Sequence, residues 1–140
     1  MGREPAMGSS QHFPKRERLV SQKLIDDLFS GSRSAVAFPL RVVYKYKVRA
    51  EASEPVQLLV SVPKKHFHHA VDRNRVKRQI REAYRHHKAA LYEAQPEGQQ
   101  LLLAFVWLAD RHFTTKVVER RVTTLMQQVI EGRGAEEREP

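Results

Sequence analysis

Hydrophobic and polar residues follow each other along this chain at two spacings, and each spacing predicts a different kind of element. Residues 34–48 alternate with a period of two and are rich in β-branched and aromatic side chains. They predict a short strand and a longer one, separated at Pro39. Residues 56–62 predict another strand, and the run 101–108 is apolar on both faces, which favours a strand at the centre of a sheet.

Three further stretches carry apolar residues at the helical spacing of three and four. Ser21 is the predicted N-cap of a short amphipathic helix, and Asp72 is the predicted N-cap of a long one. Thr114 or Thr115 is expected to cap a last helix, which Gly132 ends.

The resulting order, α-β-β-β-α-β-α, predicts an α+β fold with a four-stranded sheet packed with helices. No repeat or long linker divides the 140 residues, so we expect a single domain over residues 12–132. Residues 1–11 and 133–140 are expected to be disordered tails. Either Met1 or Met7 fits as the true start.

Composition narrows the classes of function. The chain has no cysteine, which excludes disulfides, thiolate metal sites and cysteine nucleophiles. The N-terminus lacks the apolar region of a secretory signal, and the longest apolar run is far too short to span a bilayer. The expected setting is therefore the reducing cytoplasm.

Positive charge is concentrated in residues 61–88. This stretch holds nine Lys or Arg residues against two acids, Asp72 and Glu82, and so carries +7 of the formal +9 of the whole chain. A compact block of cations with few anions is typical of a protein that binds a polyphosphate partner.

On a helical projection, in which each residue turns by about 100°, the long helix separates into an apolar arc and a basic arc, and the basic arc spans only about 100°. The apolar arc comprises Val76, Ile80, Ala83, Tyr84 and Leu91. The basic arc comprises Asn74, Lys77, Arg78, Arg81, Arg85 and Lys88. Arg73 and Arg75 lie in the first turn, from where they could reach a partner at the helix end.

The alternative is an ordinary solvated helix face. Such a face interleaves acids with bases for i,i+4 pairing, but this helix offers only Glu82, which lies off the basic arc. We expect Glu82 to pair with Arg78 on one side and His86 on the other.

Bond-breaking chemistry is not evident. Nucleophile and phosphate-loop motifs are absent, and the adjacent Asp26 and Asp27 point to different helix faces, so no catalytic residue is predicted. The histidines suggest a metal site, but they lack a matching carboxylate pair or an HExxH pattern. We therefore expect no metal site, and contacts with RNA or water at His66, His68, His69, His86 and His87.

Two interpretations remain open for the aromatic residues. They could pack in the core, or they could form a stacking platform for single-stranded nucleic acid beside interleaved lysines. The residues concerned are Phe13, Phe29, Tyr44 and Tyr46, with Lys45 and Lys47 between and beside the tyrosines.

The stretch SVPKK…AVDRNRVKRQIREAYR closely resembles the RNR motif of the protein subunit of bacterial ribonuclease P. Arg18-Leu19, before a short helix that ends in Phe29 and Gly31, is also similar to that family. The resemblance covers roughly residues 12–131. It departs from the family pattern at Pro63 and in the loop HFHH, which lacks a glycine.

This resemblance implies a left-handed β-α-β crossover through the basic helix, and a role in removing 5′ leaders from precursor tRNA. In the family, an RNA subunit holds the active site and its catalytic Mg²⁺, and the protein is expected to join it as a monomer. By the match, RNA-binding residues are Arg73, Asn74, Arg75, Lys77, Arg78, Arg81, Arg85, Lys64 and Lys65. The two lysines are placed toward the substrate leader, together with Phe29 and one of Tyr44 or Tyr46.

Two other classes of protein would also carry such a concentration of positive charge. A ribosomal or ribosome-assembly protein that binds structured rRNA would need the same cations without an associated cleavage activity. A membrane-surface helix is the third class, but the apolar arc is narrow and is needed to cover the sheet.

Overall fold

The computed structural model describes residues 13–50, 53–132 and, for the backbone only, 135–136. The expectations for residues 1–11, with the choice between Met1 and Met7, lie outside the described residues. So do those for His12 and for most of the segment 133–140. None of the helices in the described ranges is long and apolar enough to cross a membrane.

The elements follow the predicted order and form one α+β domain. A 3-10 turn at Lys15–Glu17 precedes the first helix. The elements are then α1 (Gln22–Leu28), β1 (Arg33–Ala37), β2 (Leu40–Val48), β3 (Val56–Ser61), α2 (Ala70–Glu93), β4 (Gln99–Trp107), α3 (Thr115–Glu131) and β5 (Ala135–Glu136).

The sheet has the order β3-β4-β2-β1-β5. β3 and β4 are parallel neighbours joined through α2, and the other pairs are antiparallel. A β-α-β crossover through the basic helix is thus present, and its left hand stays an expectation from the resemblance. The four predicted strands are confirmed. The two-residue β5 adds an edge strand inside the segment expected to be a tail, where Ala135 and Glu136 pair with Ser34 and Arg33.

The central position predicted for residues 101–108 is confirmed, because β4 lies between β3 and β2 and is buried almost throughout. Both of its faces are covered. One face packs under α2 and α3 in the main core, around Trp107 and Tyr44. The other packs under α1 in a smaller cluster of Leu19, Leu28, Val43, Leu102 and Ala104.

Two of the predicted helix caps are confirmed. The Ser21 Oγ accepts from the Leu24 N–H at 3.3 Å, and the Thr114 Oγ1 accepts from the Val117 N–H at 3.3 Å. At the end of α3, Gly132 adopts a left-handed conformation with φ 70°, which a residue with a Cβ adopts only at a cost.

The N-cap predicted at Asp72 is wrong. α2 begins at Ala70, with His69 as an N-cap that makes no side-chain hydrogen bond. The periodicity missed this turn because Ala70 and Val71 are both exposed and do not belong to the buried stripe of the helix. Asp72 instead lies in the first turn, where a carboxylate suits the positive end of the helix dipole, and its Oδ1 is 3.0 Å from His112 Nε2.

α1 is fastened to the sheet by one carboxylate. Asp27 Oδ1 accepts from Lys45 Nζ at 2.8 Å, and Oδ2 accepts from Lys47 Nζ at 3.2 Å. Lys45 Nζ also donates to the carbonyl of Ser30 at 3.2 Å. The hydrogen bond from Lys45 is the main reason that the pKa of Asp27 is lowered, against the opposing effect of burial.

Replacing Asp27 with Asn should flatten the acid side of the stability curve. Because the pKa of Asp27 is lowered in the fold, its contribution is fully present above the ordinary value of 3.8 and is lost as pH falls through the folded value. Urea midpoints between about pH 2 and 6 measure this slope. Lys45→Met removes the main cause and should flatten the curve in the same way, whereas a wild-type slope in Asp27→Asn would contradict the assignment.

Candidate nucleic-acid interface

α2 divides into the two faces that its periodicity predicts. All five residues of the apolar arc are buried against the sheet and α3. Of the basic arc, Asn74 and Arg78 are exposed, and Lys77, Arg81 and Arg85 are partly exposed. Arg75, in the first turn and off that arc, is exposed as well. Because one helix face carries the core contacts, the cations of the other face share a common side.

Lys88 does not belong to that side, so its place on the basic arc is a wrong prediction. Its side chain is 3% exposed, and its Nζ donates to Glu17 Oε1 at 2.7 Å. The ammonium also lies 5.8 Å from the centre of the Tyr92 ring. The helical projection could not show this, because the partner comes from the 3-10 turn 71 residues earlier.

The ion pair fixes residues 13–19, the N-terminal segment, across α2 and beside β3. The Leu19 N–H donates to the Leu58 carbonyl at 2.8 Å, and the Phe13 ring packs edge-on against Tyr84 with centroids 5.6 Å apart. Arg18 then lies with its guanidinium 5.3 Å from the centre of the Phe13 ring. The segment therefore places Arg18 next to the basic side of α2.

We define the cationic ridge as Lys77, Arg78, Arg81 and Arg85 of α2 together with Arg18. Its centre is a groove of about 400 Å³, lined by Phe13, Arg18, Arg78, Arg81, Glu82 and Arg85. Sequence reasoning noted Arg18 only for its family resemblance and missed its place here. Glu17 was the signal in the sequence that could have placed this segment next to α2. It is a lone acid among basic residues, and a glutamate that becomes buried needs a cation as its partner.

The predicted pairing of Glu82 is half right. Its contact with His86 is confirmed, with Oε1 3.8 Å from His86 Nε2. Its second partner is Arg85, whose Nη2 donates to the same Oε1 at 2.7 Å, and no ion pair with Arg78 forms in the described part of the chain. The hydrogen bond from Arg85 is the main cause that lowers the pKa of Glu82. The shorter i,i+3 spacing lets the Arg85 fork reach the carboxylate, so Arg78 is left pointing to solvent.

The other four cations of the ridge have no carboxylate partner in residues 13–50 and 53–132. Within the described residues, no carboxylate lies within ion-pair distance of Arg18, Lys77, Arg78 or Arg81. Partial burial and then repulsion by Arg18 lower the pKa of Arg81. Like charges held together at the cost of repulsion fit a surface that is completed by an anionic partner.

The first turn of α2 carries the RNR residues in two different roles. Arg73 Nη1 donates to the carbonyls of Phe67 and His68 at 2.8 and 2.9 Å, so this guanidinium ties the preceding loop to the helix. Asn74 and Arg75 are exposed, and neither side chain makes such a hydrogen bond within the described ranges.

The loop before α2 leaves its two lysines in solvent. Lys64 and Lys65 are exposed just beyond β3, in a turn closed by the His66 N–H on the Pro63 carbonyl at 3.1 Å. His66 Nδ1 is 2.6 Å from Asp110 Oδ1, which ties this loop to the one that follows β4.

The other described histidines also face single carboxylates or solvent. His112 meets Asp72, and His87 Nε2 is 3.0 Å from Glu119 Oε2. Across residues 13–50 and 53–132, no three His, Asp or Glu side chains gather into a cluster that could hold a metal ion.

The two tyrosines of β2 have separate roles. Tyr44 is 1% exposed in the main core, so it is not available to stack on a ligand and that option is removed. Tyr46 is 37% exposed and lines a notch of about 430 Å³ at the start of β1, together with Gly31–Arg33, Tyr44, Lys45 and Gly132. Burial is the main cause that raises the pKa of Tyr46.

Phe29 is 46% exposed directly after α1. α1 covers the sheet face of Val43 and Lys45, whereas Tyr44 and Tyr46 point to the face of α2 and α3. The structure therefore does not bring Phe29 and Tyr46 together on one face of the sheet.

A family model described as ribonuclease P matches residues 13–129, from the N-terminal segment to the last turns of α3. The chain belongs to the ribonuclease P protein family. The resemblance found in the RNR stretch is thereby confirmed.

Two curated ribonuclease P protein components illustrate the relationship. That of Porphyromonas gingivalis strain ATCC 33277 is 41% identical over 107 residues, which cover 76% of this chain and 77% of the relative. That of Chlorobium phaeobacteroides strain DSM 266 is 34% identical over 125 residues, which cover 82% of this chain and 86% of the relative.

Solved structures share the fold. A mutant of the Staphylococcus aureus RNase P protein matches with a TM-score of 0.60 at 18% identity, over 82% of this chain and 89% of that one. The RNase P protein of Thermotoga maritima matches with a TM-score of 0.55 at 20% identity, over 80% and 96%. At these identities the likeness concerns the fold alone, and it agrees with the predicted α+β class.

The buried ion pair gives a prediction about stability. Lys88→Met should lower the free energy of unfolding by roughly 3–5 kcal/mol, because it leaves the Glu17 carboxylate buried without its cation. The double variant Glu17→Leu/Lys88→Met should recover most of that loss. Urea unfolding measures both, with exposed Lys23→Met as the matched control; a loss no larger than that control would contradict the assignment.

Proposed function

We propose that this member of the ribonuclease P family is the RNA-binding protein subunit of the ribozyme. It assists a catalytic RNA in the endonucleolytic removal of 5′ leaders from precursor tRNA. The observation that carries the proposal is the cationic ridge, in which Arg18, Lys77, Arg78 and Arg81 share one side and have no carboxylate partner among the described residues.

The ridge supplies binding chemistry. Guanidinium groups donate in pairs to phosphate oxygens, and a row of them along a rigid helix matches the regular spacing of an RNA backbone. Asn74 and Arg75 extend the ridge at its N-terminal end, where the helix dipole adds positive potential. Arg73 holds the preceding loop in place through Nη1, and we assign its other guanidinium nitrogens to the same RNA partner.

We assign the cut to the RNA, because the sequence carries no nucleophile or phosphate-loop motif. The catalytic Mg²⁺ is expected to be held mainly by the phosphates of that RNA, since Mg²⁺ prefers oxygen ligands and retains several waters. The role of the protein is to neutralise phosphates of the bound RNA, which would otherwise repel each other.

The substrate leader is assigned to the surface beyond the ridge. Tyr46 in its notch offers an exposed ring, which is a suitable place for an unpaired base to stack. Lys64 and Lys65 provide exposed cations at the far end of the sheet, and Phe29 provides a second exposed ring on the α1 side.

Stimulation of a ribozyme tests the proposal. Adding the purified chain to a transcribed bacterial ribonuclease P RNA at low Mg²⁺ should raise the rate of precursor tRNA cleavage, because protein cations replace metal ions in screening the RNA. The variant with Ala at 77, 78, 81 and 85 should not stimulate. Absence of stimulation by the wild-type chain would overturn the proposal, and tight binding to rRNA instead would favour a ribosome-assembly protein.

Salt dependence tests the ridge separately. If it neutralises about five phosphates, the slope of log affinity against log salt should be roughly −4 to −5, and affinity should fall about 10²–10³-fold between about 50 and 200 mM salt. Arg81→Ala should make the slope shallower by about one unit. Filter binding measures both, with exposed Arg120→Ala on α3 as the control. An unchanged slope in Arg81→Ala would show that this side chain does not meet a phosphate.

A further inference from the structure

The turn between β1 and β2 displays an aromatic ring that the core does not use. Phe38 is 54% exposed, although the neighbouring Pro39 and Leu40 are buried. Its carbonyl accepts from Arg121 Nε of α3 at 2.9 Å, so the backbone under the ring is fixed. A bulky apolar ring held in solvent by its own fold is a candidate binding feature.

A second ring and a guanidinium lie beside it. Phe113 packs edge-on against Phe38 with centroids 6.0 Å apart, and it rests on the buried Trp107 at 5.7 Å. The guanidinium of Arg111 lies 4.2 Å from the centre of the Phe113 ring, and Arg111 is exposed. We name Phe38, Arg111 and Phe113 the hairpin platform.

The surroundings of the platform are positive. Arg111 and Arg121 have no carboxylate partner among the described residues, and neither do Lys64 and Lys65. The loop of those lysines is tied to the platform loop by the contact of His66 with Asp110, which occupies that carboxylate. Exposed rings next to uncompensated cations are the combination that binds unpaired nucleotides.

We propose that the hairpin platform binds unpaired RNA, with a base stacked on Phe38 or on the outer face of the Arg111 guanidinium and the adjoining phosphates near Arg111 and Lys65. This inference rests on the RNA-binding function proposed above and adds a site to it. The platform lies at the Ala37 end of β1, about 13 Å along the strand from the notch at Arg33, so the two can hold separate nucleotides.

Charge favours RNA over a second copy of the chain as the occupant. Self-association through this face would bring together Arg111 and Lys65 of two molecules that each carry a formal +9. The apolar part is also small, consisting of Phe38 and the exposed Val36 two residues before it.

A tryptophan at position 38 reports the contact directly. Trp107 is the single native tryptophan and is fully buried, so Phe38→Trp adds the only exposed indole. Titration with octauridylate should quench this exposed emission if a base stacks there. No quenching at concentrations that bind the chain would overturn the inference.

Affinity gives the second readout. Phe38→Ala and Phe38→Leu should each weaken binding of labelled octauridylate by about tenfold, because one stacked base is lost, and should leave binding of a 12-base-pair RNA duplex unchanged. Thermal unfolding checks that both variants fold. Three results would each overturn the proposed site. Both variants could bind octauridylate with wild-type affinity, or they could lose the same affinity for the duplex. The third is a change in sedimentation without a change in octauridylate binding.

An Arg78→Ala variant separates this test from that of the proposed function. If Arg78→Ala weakens binding of transcribed ribonuclease P RNA while the Phe38 variants bind octauridylate normally, the platform is wrong and the ridge stands. If Arg78→Ala and the ridge variants leave that RNA bound as before, the proposed function fails, whatever the Phe38 variants show.

Discussion

The structure depends on the division of α2 into two faces that cannot exchange places. Val76, Ile80 and Tyr84 have no exposed surface, and their burial against the sheet sets the rotation of the helix about its axis. Burying side chains of this size contributes on the order of 2 kcal/mol each, so rotating the helix to hide its arginines would cost several times that amount. The cations are therefore displayed because the core requires the opposite face.

The N-terminal segment adds a second wall to the cationic face of α2. A surface ion pair would hold such a segment weakly, but Glu17 and Lys88 are both almost fully buried, and separating them would leave an unpaired charge inside. Arg18 follows Glu17 directly, so the same pair that anchors the segment also delivers a cation to the ridge. Lys88 therefore adds no exposed charge to the ridge, but Arg18 of the N-terminal segment adds one.

Element order, the two faces of α2 and the central strand were predictable because each follows from periodicity, which is a local property. Ser21 and Thr114 were predictable for the same reason, since a cap is decided within three residues. Lys88 was misplaced, and the role of Arg18 was missed, because their partners are distant in sequence. Tyr44 and Tyr46 lie two residues apart on β2 and have the same place in its alternation, yet Tyr44 is packed in the main core and Tyr46 is partly exposed, a difference that alternation alone does not show.

The most direct measurement is a cross-link from the ridge to RNA. The chain has no cysteine, so Asn74→Cys provides a single thiol on the ridge side of α2 without removing a charge, and Thr124→Cys provides the matched exposed position on α3. A photoreactive group on each is irradiated with transcribed ribonuclease P RNA. We predict a discrete cross-link from position 74 and none from position 124. Cross-linking from position 124 alone, or equally from both positions, would contradict the claim that the ridge faces the RNA.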